Sequence, residues 1–181
     1  MKSFSFKVLI VLFTITMGLW ACQKAADLNP VAADDLKSSN QGTAWLQANS
    51  DFDQVAGTSP TKVNINVEDG SAQVSLSGGS AVVNRSGDYL IVAAPQATVP
   101  AGENFRCWLD VNGTYVANSN VLLSSEVTVQ DVIVSQGIVS LEKGDVVSVY
   151  IASSGGAFID AIMPPEGVLV PSIIFTMYQI N

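Results

Sequence analysis

The sequence predicts an all-β domain over residues 43–181, a two-sheet antiparallel jelly-roll sandwich of about eight to ten strands. The first observation is that apolar and polar residues alternate in short runs. Residues 146–152 are an example, with Val147, Val149 and Ile151 on one side of a half-buried strand. The second observation is that Gly, Pro, Asn and Asp separate these runs at regular spacing, and the third is that this region has no convincing helical pattern.

The first half of the domain contains one alternating strand and one continuous apolar strand. Residues Lys62–Val67 alternate polar with apolar side chains and predict a strand with one wet face, followed by a turn at Glu68–Gly70. Residues Tyr89–Ala94 are almost entirely apolar, which predicts a strand covered on both faces. Other strands are predicted from Trp45, Val74 and Ala81, the last two separated by Gly78-Gly79, and loops at residues 51–60 and 95–104.

The second half contains two predicted hairpins. Asn112-Gly113 lies between two strands and predicts a type I′ turn, because that turn needs two residues at positive φ. Residues Gln136–Ile151 hold two apolar runs around Glu142–Asp145, which locally predicts a β-hairpin with Gly144 at its corner. Strands are also predicted at residues 121–129, 132–134 and 173–180, with an apolar loop at 157–170.

Residues 1–21 have the pattern of a secretory signal peptide. Lys2 and Lys7 form a basic start, Val8–Leu19 is apolar, and the small residue Ala21 stands at the predicted cut. The apolar run is shorter than the ~20 residues that span a bilayer, which argues against a retained transmembrane helix.

The end of this segment is similar to the lipobox of bacterial lipoproteins at Leu19, Ala21 and Cys22. The resemblance implies that Cys22 becomes the mature N-terminus and carries the lipid that anchors the protein in the membrane. Because Gln23 follows Cys22, where retention in the inner membrane usually has Asp, we expect the outer membrane of a bacterial cell envelope. The alternative is an ordinary cleaved signal that leaves Cys22 as a free thiol.

Residues 22–42 are rich in Ala, Asp, Ser and Asn and contain Pro30. Such a composition has too few large apolar residues to fold alone, so we predict a flexible tether between lipid and domain. The alternative is a short helix over residues 31–37, which would be marginal at that length.

Composition excludes some classes of function. Without Lys2 and Lys7, 6 basic and 16 acidic residues remain, a net charge of −10 that disfavours nucleic-acid binding. The chain has no His, the commonest general base and zinc ligand. Neither a Ser–Lys arrangement nor a carboxylate pair such as Asp51 and Asp53 has a spacing that indicates catalysis, so we predict no enzyme activity.

Four stretches in order resemble the globular domains of complement C1q and tumour necrosis factor. Ser86–Val92 resembles their "G-x-Tyr" strand, and Leu109–Thr114 resembles an Asn-Gly hairpin common in C1q-like heads. Gly137–Val147 resembles their "Leu-x-x-Gly-Asp" segment, whose corner would turn the chain between the two sheets, and Ser172–Met177 stands where their last strand lies. The resemblance covers residues 45–180.

This resemblance implies a homotrimer in which one sheet lines a three-fold axis. We therefore expect alternate residues of two strands to face the core and the neighbouring subunit. The alternative is that loops and the second sheet cover both faces within one chain. The predicted core residues are Tyr89, Ile91, Phe175 and Met177, and the predicted trimer-interface residues are Leu90, Val92, Ile174 and Tyr178.

Ligand-binding candidates come from the apolar loop and from the aromatic residues. Phe158, Ile162 and Met163 would form a contact patch if the loop is exposed. Trp108 and Tyr115, with Trp45, are the aromatic side chains that could stack on sugar rings.

We predict no cofactor; the alternative is a Ca²⁺ site at the trimer axis or in a loop. Oxygen ligands for Ca²⁺ could come only from scattered Asp and Asn side chains, and the Asn-Gly turn better explains two of them, Asp110 and Asn112. The five candidate ligands are Asp51, Asp53, Asp110, Asn112 and Asp131. Cys107 is expected to be a buried thiol.

The chain is thus predicted to be a lipid-anchored, non-catalytic module that recognises a protein or glycan. The alternative is a monomeric carbohydrate-binding β-sandwich lipoprotein.

Overall fold

The computed structural model describes residues 42–181, which form one compact unit. The predicted signal peptide, Cys22 and all of the tether before Gly42 lie outside the described residues. Residues 42–181 contain strands and turns and no helix. Accordingly, no helix that is long and apolar enough to cross a bilayer occurs in them.

Fifteen strands occur in this part of the chain. They outnumber the prediction because four are two-residue pairings, too short to show a period, and because the run 121–129 divides in two. In chain order they are β1 (Trp45–Ser50), β2 (Gln54–Val55), β3 (Thr61–Lys62), β4 (Val67–Ala72), β5 (Val74–Ser77), β6 (Ser80–Val83), β7 (Gly87–Val99), β8 (Asn104–Val111), β9 (Thr114–Tyr115), β10 (Val121–Ser124), β11 (Val129–Val132), β12 (Ser135–Leu141), β13 (Val146–Ser153), β14 (Phe158–Ile159) and β15 (Ile173–Gln179).

The strands form two antiparallel sheets, as the sequence predicts. Sheet one has eight strands in the order β2-β14-β7-β15-β1-β4, with β11 and β12 also paired to β7. Sheet two has seven strands in the order β10-β8-β13-β6-β5, with β3 paired to β13 and β9 to β8. The first and last strands are neighbours in sheet one, so the chain closes on itself through long-range pairing.

Side chains from both sheets fill one continuous core. Tyr89, Phe105, Phe175, Leu109 and Ile151 are among its largest fully buried members. Burying such side chains is the main favourable term in folding. Because residues 42–181 form a compact unit with a continuous core of their own, we expect this part of the chain to fold alone.

The alternation predicted for the two central strands of sheet one is confirmed. Tyr89, Ile91, Phe175 and Met177 are all 0% exposed. Their neighbours point the other way, and Ile174 for example is 45% exposed. Within residues 42–181 the outer face of this sheet is therefore largely uncovered, contrary to the alternative that the second sheet and loops cover it.

The "G-x-Tyr" stretch has a clear packing reason. A Cβ on Gly87 would lie 2.8 Å from the carbonyl oxygen of Asn181 and closer still to the Gln179 amide, so only glycine allows the C-terminal strand to approach. The Tyr89 ring is buried and its hydroxyl donates a hydrogen bond to the Arg85 carbonyl, at 2.6 Å. Burial also raises the pKa of Tyr89, against the opposing effect of the Arg85 charge.

Residues 136–151 do not form a β-hairpin, contrary to the local prediction. β12 pairs with β7 in sheet one, whereas β13 pairs with β8 and β6 in sheet two. The turn between them carries the chain from one sheet to the other, as the family resemblance implied. Leu141 and Val147, on either side of the turn, are both buried, because both strands face the shared core.

Gly144 is at this corner with a φ of 99°, a conformation that side chains disfavour. Its N–H donates to the Val83 carbonyl at 2.7 Å, and Asp145 Oδ2 accepts from the Glu142 N–H at 2.7 Å. The predicted Asn-Gly turn lies beside it, with Asn112 and Gly113 at φ values of 53° and 84°. These are the two positive φ values of a type I′ turn, so that prediction is confirmed.

The loop predicted at residues 95–104 is shorter than expected and spans residues 100–103, because β7 continues through Pro95 to Val99. Proline cannot donate to a sheet ladder and is tolerated where the ladder is interrupted. On that side of β7, Val132 pairs with Gln96 and Ser135 pairs with Ala93. The break between β11 and β12 therefore falls opposite Pro95.

The region 62–72 also differs from its prediction. Val63 and Ile65 are buried and alternate with exposed neighbours as expected. The predicted strand at residues 62–67, however, is paired only at its two ends, by β3 and by the start of β4. The predicted turn at Glu68–Gly70 is instead part of β4. A Cβ on Gly70 would lie 2.8 Å from the Trp45 ring, so this glycine serves side-chain packing across the sheet.

Candidate binding surfaces

The outer face of sheet one carries a row of large apolar side chains. The strand register aligns Ile138 with Leu90, Leu90 with Tyr178, and Tyr178 with Trp45. Directly opposed residues in antiparallel strands have Cβ atoms about 4.5–5.5 Å apart, so these four form a continuous stripe. We call this surface, with Val92 and Ile174, the apolar face.

Several members of the apolar face are open to solvent in the single chain. Ile138 is 67% exposed and Leu90 and Tyr178 are each 38% exposed. The next row is more polar: Val92 lies opposite Thr176, whose hydroxyl donates to the Gln47 side chain at 2.8 Å. The four predicted interface residues thus share one face, and alternation alone did not reveal that Ile138 and Trp45 join them.

The outer face of sheet two carries an aromatic cluster. Trp108 on β8 and Tyr150 on β13 are paired residues, and their rings are stacked with centroids 5.9 Å apart and planes 15° from parallel. Tyr115, which is 65% exposed, follows the Asn-Gly turn and pairs with Asp110. Tyr150 was missed at the sequence level, because only strand pairing brings it beside Trp108.

Two open depressions lie on this face. The first has a volume of about 390 Å³ and is lined by Pro60, Arg106, Trp108, Tyr115 and Asn120. The second has a volume of about 300 Å³, and Arg106 lines it as well. We call the two together the aromatic groove. The lining of the second depression is completed by Thr58, Asn104, Leu122, Ala152, Ser153 and Ser154.

Arg106 is the cation at the middle of the aromatic groove. Within residues 42–181 its guanidinium has no hydrogen-bond or ion-pair partner among the protein groups. Lys62, which pairs with Tyr150 at the side of the groove, donates to the Gly78 carbonyl at 2.8 Å. Arginine therefore remains available to bind an anionic group, and its planar fork matches a carboxylate.

The predicted ligand-binding residues divide between the two sheets. Trp108 and Tyr115 line one depression of sheet two. Phe158 is half-buried and pairs with Thr98 in sheet one, and Ile162 forms an isolated bridge with Val170. Met163, next to that bridge, is 63% exposed.

Trp45 does not share a surface with Trp108 and Tyr115, the other aromatic residues predicted to stack on sugar rings. It lies in β1 of sheet one, against Gly70 and opposite Tyr178. Trp108 and Tyr115 belong to sheet two. The reason is strand pairing: β1 pairs with β15 and β4 in sheet one, whereas β8 and β9, which flank the Asn-Gly turn, pair in sheet two.

The residues predicted as possible Ca²⁺ ligands accept or donate hydrogen bonds within the protein and do not form one cluster. Asp51 accepts from the Asn66 amide at 2.6 Å, and Asp53 accepts from the Ala161 N–H at 2.8 Å. Asp131 binds the N–H of Val132. Among residues 42–181, no group of three or more acidic, His or Cys side chains is arranged to hold a metal ion.

The other two of these residues serve the turns. Asp110 accepts from the Gly113 N–H at 2.8 Å, inside the Asn-Gly turn. Asn112 donates to Asp145 at 2.8 Å and accepts from the Val146 N–H at 2.9 Å. The two corners of the chain are therefore joined by side-chain hydrogen bonds.

Two groups with potential reactivity are held in unreactive settings. Cys107 is a buried free thiol, and burial raises its pKa to about 12, against a weaker opposing effect of a hydrogen bond with Ser135. Lys62 lies 3.4 Å from the Ser80 hydroxyl, a Ser–Lys proximity that the sequence did not indicate. Ser80 is only 2% exposed and shares a hydrogen bond with Ser148, so a substrate has no path to it.

Comparison with solved structures identifies the architecture. The crystal structure of murine APRIL, a tumour necrosis factor family member, is similar with a TM-score of 0.52 and 15% sequence identity. The match covers 76% of this chain and 99% of the APRIL chain. The fold is a TNF-like jelly roll. No family model and no curated protein sequence matches the chain.

Proposed function

We propose that the chain is a non-catalytic binding module of the bacterial cell envelope. It is anchored by lipid on Cys22 and works as a homotrimer that recognises a protein or glycan. The apolar face carries the trimer proposal, because a row of exposed large apolar side chains on a flat sheet is typical of an interface. The C1q and tumour necrosis factor resemblance supports the same face as the contact.

The physical chemistry of this face favours a contact between copies. Burying apolar surface contributes roughly 25 cal/mol for each Å² removed from water. The neighbouring polar pair, Thr176 and Gln47, already makes its own hydrogen bond, so covering it leaves that bond intact. Three copies placed about one axis form a closed assembly, which leaves no apolar face open.

Light scattering after size exclusion tests the assembly. Residues 42–181 have a continuous core and are the form to measure, at micromolar concentration. We expect a mass of three chains. A strictly monomeric species would refute the trimer.

A matched pair of variants tests the position of the contact. Leu90→Asp places a charge within the apolar face, and covering an unpaired charge is costly, so we expect the trimer to weaken by roughly 100-fold or more. Leu122→Asp makes the same change on the outer face of sheet two, where Leu122 is 59% exposed. We expect Leu122→Asp to remain trimeric, and equal effects of the two changes would contradict the assignment.

The lipid anchor is tested separately in cells. Metabolic labelling with a palmitate analogue is expected to mark the full-length protein and to place it in the membrane fraction. Cys22→Ala is expected to abolish both the label and the membrane association. An unlabelled protein that is released from the membrane without substitution would show that the signal is an ordinary cleaved one.

A monomeric carbohydrate-binding lipoprotein is the second candidate. The stacked Trp108 and Tyr150 rings favour it, because proteins commonly use such aromatic side chains at binding surfaces. A monomer that binds saccharides would select this candidate over the trimer. A trimer that binds saccharides would combine both surfaces in one protein.

A further inference from the structure

We propose that the aromatic groove binds a saccharide that carries a carboxylate, such as a uronic-acid oligosaccharide. The inference rests on the proposed function as a binding module and is independent of the trimer. Three observations on the outer face of sheet two support it. They are a stacked aromatic pair, an unpartnered arginine and two adjacent depressions that share this arginine.

The aromatic pair is preorganised for stacking. Trp108 is half-buried and its ring is held near-parallel to the Tyr150 ring, so little side-chain freedom is lost when a ligand contacts it. Tyr115 lines the same depression from the neighbouring turn and is largely exposed. Sugar rings have flat apolar faces of C–H groups, which pack against such aromatic surfaces.

The charge at the centre of the groove selects the class of saccharide. Residues 42–181 contain only four cationic side chains, Lys62, Arg85, Arg106 and Lys143, and Arg106 is the one that lines both depressions of the aromatic groove. An exposed guanidinium can form two parallel hydrogen bonds with one carboxylate. A neutral sugar would leave that capacity unused.

Two carboxylates that contact residues beside the groove bind groups other than Arg106. Asp110 accepts from the Gly113 N–H, and Glu103 accepts from the Ser154 hydroxyl. Neither carboxylate has a hydrogen bond or ion pair with Arg106. An incoming carboxylate would therefore meet a free cation at the middle of the groove.

The shape of the groove indicates more than one sugar ring. The depression beside Trp108 has a volume of about 390 Å³, and the one beyond Arg106 has about 300 Å³. The second is lined by hydroxyl and amide side chains, among them Asn104 and Thr58, which can bind sugar hydroxyl groups. An oligosaccharide can thus stack at one end and donate or accept hydrogen bonds at the other.

Calorimetric titration with an oligogalacturonate and with its methyl ester tests the inference. The two probes share the same rings and differ in the carboxylate charge. We expect residues 42–181 to bind the acid at least about tenfold more tightly than the ester, the size expected for a charge-assisted hydrogen bond. Equal binding of acid and ester would overturn recognition of the charge, and absence of binding to either would overturn the saccharide site.

Variants locate the site. Arg106→Gln is expected to remove the preference for the acid, and Tyr115→Ala is expected to weaken both probes. Lys143→Gln makes the same charge change at the exposed corner between the sheets and is expected to bind as the unsubstituted domain does. An equal loss in Arg106→Gln and Lys143→Gln would show a nonspecific charge effect and refute the site.

Tryptophan fluorescence gives a second readout. In residues 42–181 the Trp45→Phe variant leaves Trp108 as the single tryptophan. We expect the acid to change its emission, whereas an unchanged emission during calorimetric binding would refute the groove. The mass by light scattering is expected to be the same with and without ligand, so failure of this site and failure of the trimer are separate results.

Discussion

The two outer faces of the sandwich differ although both sheets cover the same core. The apolar face of sheet one presents aliphatic and aromatic side chains in register, such as Ile138 beside Leu90. The aromatic groove of sheet two presents rings, hydroxyl groups and Arg106 around two depressions. The first pattern suits a flat contact between copies of the chain, and the second suits a small polar ligand.

From this difference we propose that the two faces separate assembly from recognition. Residues that face inward are similar on both sheets, since each contributes buried aliphatic and aromatic side chains. The outward residues are free of that packing constraint, so each face can acquire its own chemistry. The following predictions test the assignment of each face.

The largest effect is expected for Phe175→Ala, which removes a fully buried ring from β15. Its free energy of unfolding should fall by about 3–5 kcal/mol at every protein concentration. Ile174→Ala, on the adjacent outward residue, should cost less, and its cost should depend on concentration because it weakens assembly. Chemical unfolding at two concentrations measures both, and a concentration-independent cost at Ile174 would argue against a subunit contact there.

The next effect concerns Cys107, which faces the core between Arg106 and Trp108 on β8. Burial raises its pKa to about 12, so the thiol should be almost entirely protonated at pH 8. Alkylation by iodoacetamide should be roughly 100-fold slower in the native domain than in urea. Rapid alkylation of the native domain would mean that the inward and outward residues of β8 are misassigned. The aromatic groove, which Arg106 and Trp108 of β8 line, would then be wrong as well.

A smaller effect is expected for Tyr150→Ala, which removes the ring that holds Trp108. Affinity for the oligogalacturonate should fall roughly tenfold, within the range of an aromatic pair, while the mass stays unchanged. Tyr150→Phe keeps the stack and should restore affinity. The fluorescence anisotropy of Trp108 in the Trp45→Phe background should fall in Tyr150→Ala alone, and an unchanged anisotropy would contradict a positioning role.

The smallest effect concerns Asp88, which stands beside Leu90 on β7. Hydrogen bonds from Ser140 and then Asn181 lower the pKa of Asp88 below its ordinary value of 3.8. Because the folded-state pKa is the lower one, the charged form stabilises the fold above the ordinary value, and this contribution is lost as pH falls through the depressed pKa. The Tm of the unsubstituted domain should exceed that of Asp88→Asn at neutral pH, and the gap should narrow below about pH 4. A gap that stays constant with pH would exclude the linkage.

Local sequence patterns predicted which residues of a strand share a side, and they predicted one turn. Alternation together with the family resemblance predicted that Tyr89 and Phe175 face the core, and Asn112-Gly113 predicted its type I′ turn. The same local reasoning failed at residues 136–151, where an apparent hairpin is a corner between sheets. Two apolar runs around a tight turn look the same in both cases, because the difference lies in the partners that each strand finds far along the chain.

The candidate surfaces were predicted to a lesser degree. Leu90, Val92, Ile174 and Tyr178 do share one face, since each alternates with a core residue on its own strand. The groove was indicated only by Trp108 and Tyr115. Arg106, which lines both depressions, and Tyr150, which stacks on Trp108, become candidates only through their neighbours on other strands.

By itself, the sequence determined the all-β class, the alternation of side chains along the strands and the Asn-Gly turn, whereas the leader with its cysteine stays a prediction. These properties follow from periods of two residues and from short motifs, which act within one strand or segment. Only the tertiary structure decided which strands are neighbours, where the chain crosses between sheets and which outward residues meet. Strand pairing depends on long-range register, and here it joins residues more than a hundred positions apart, as in Trp45 with Tyr178.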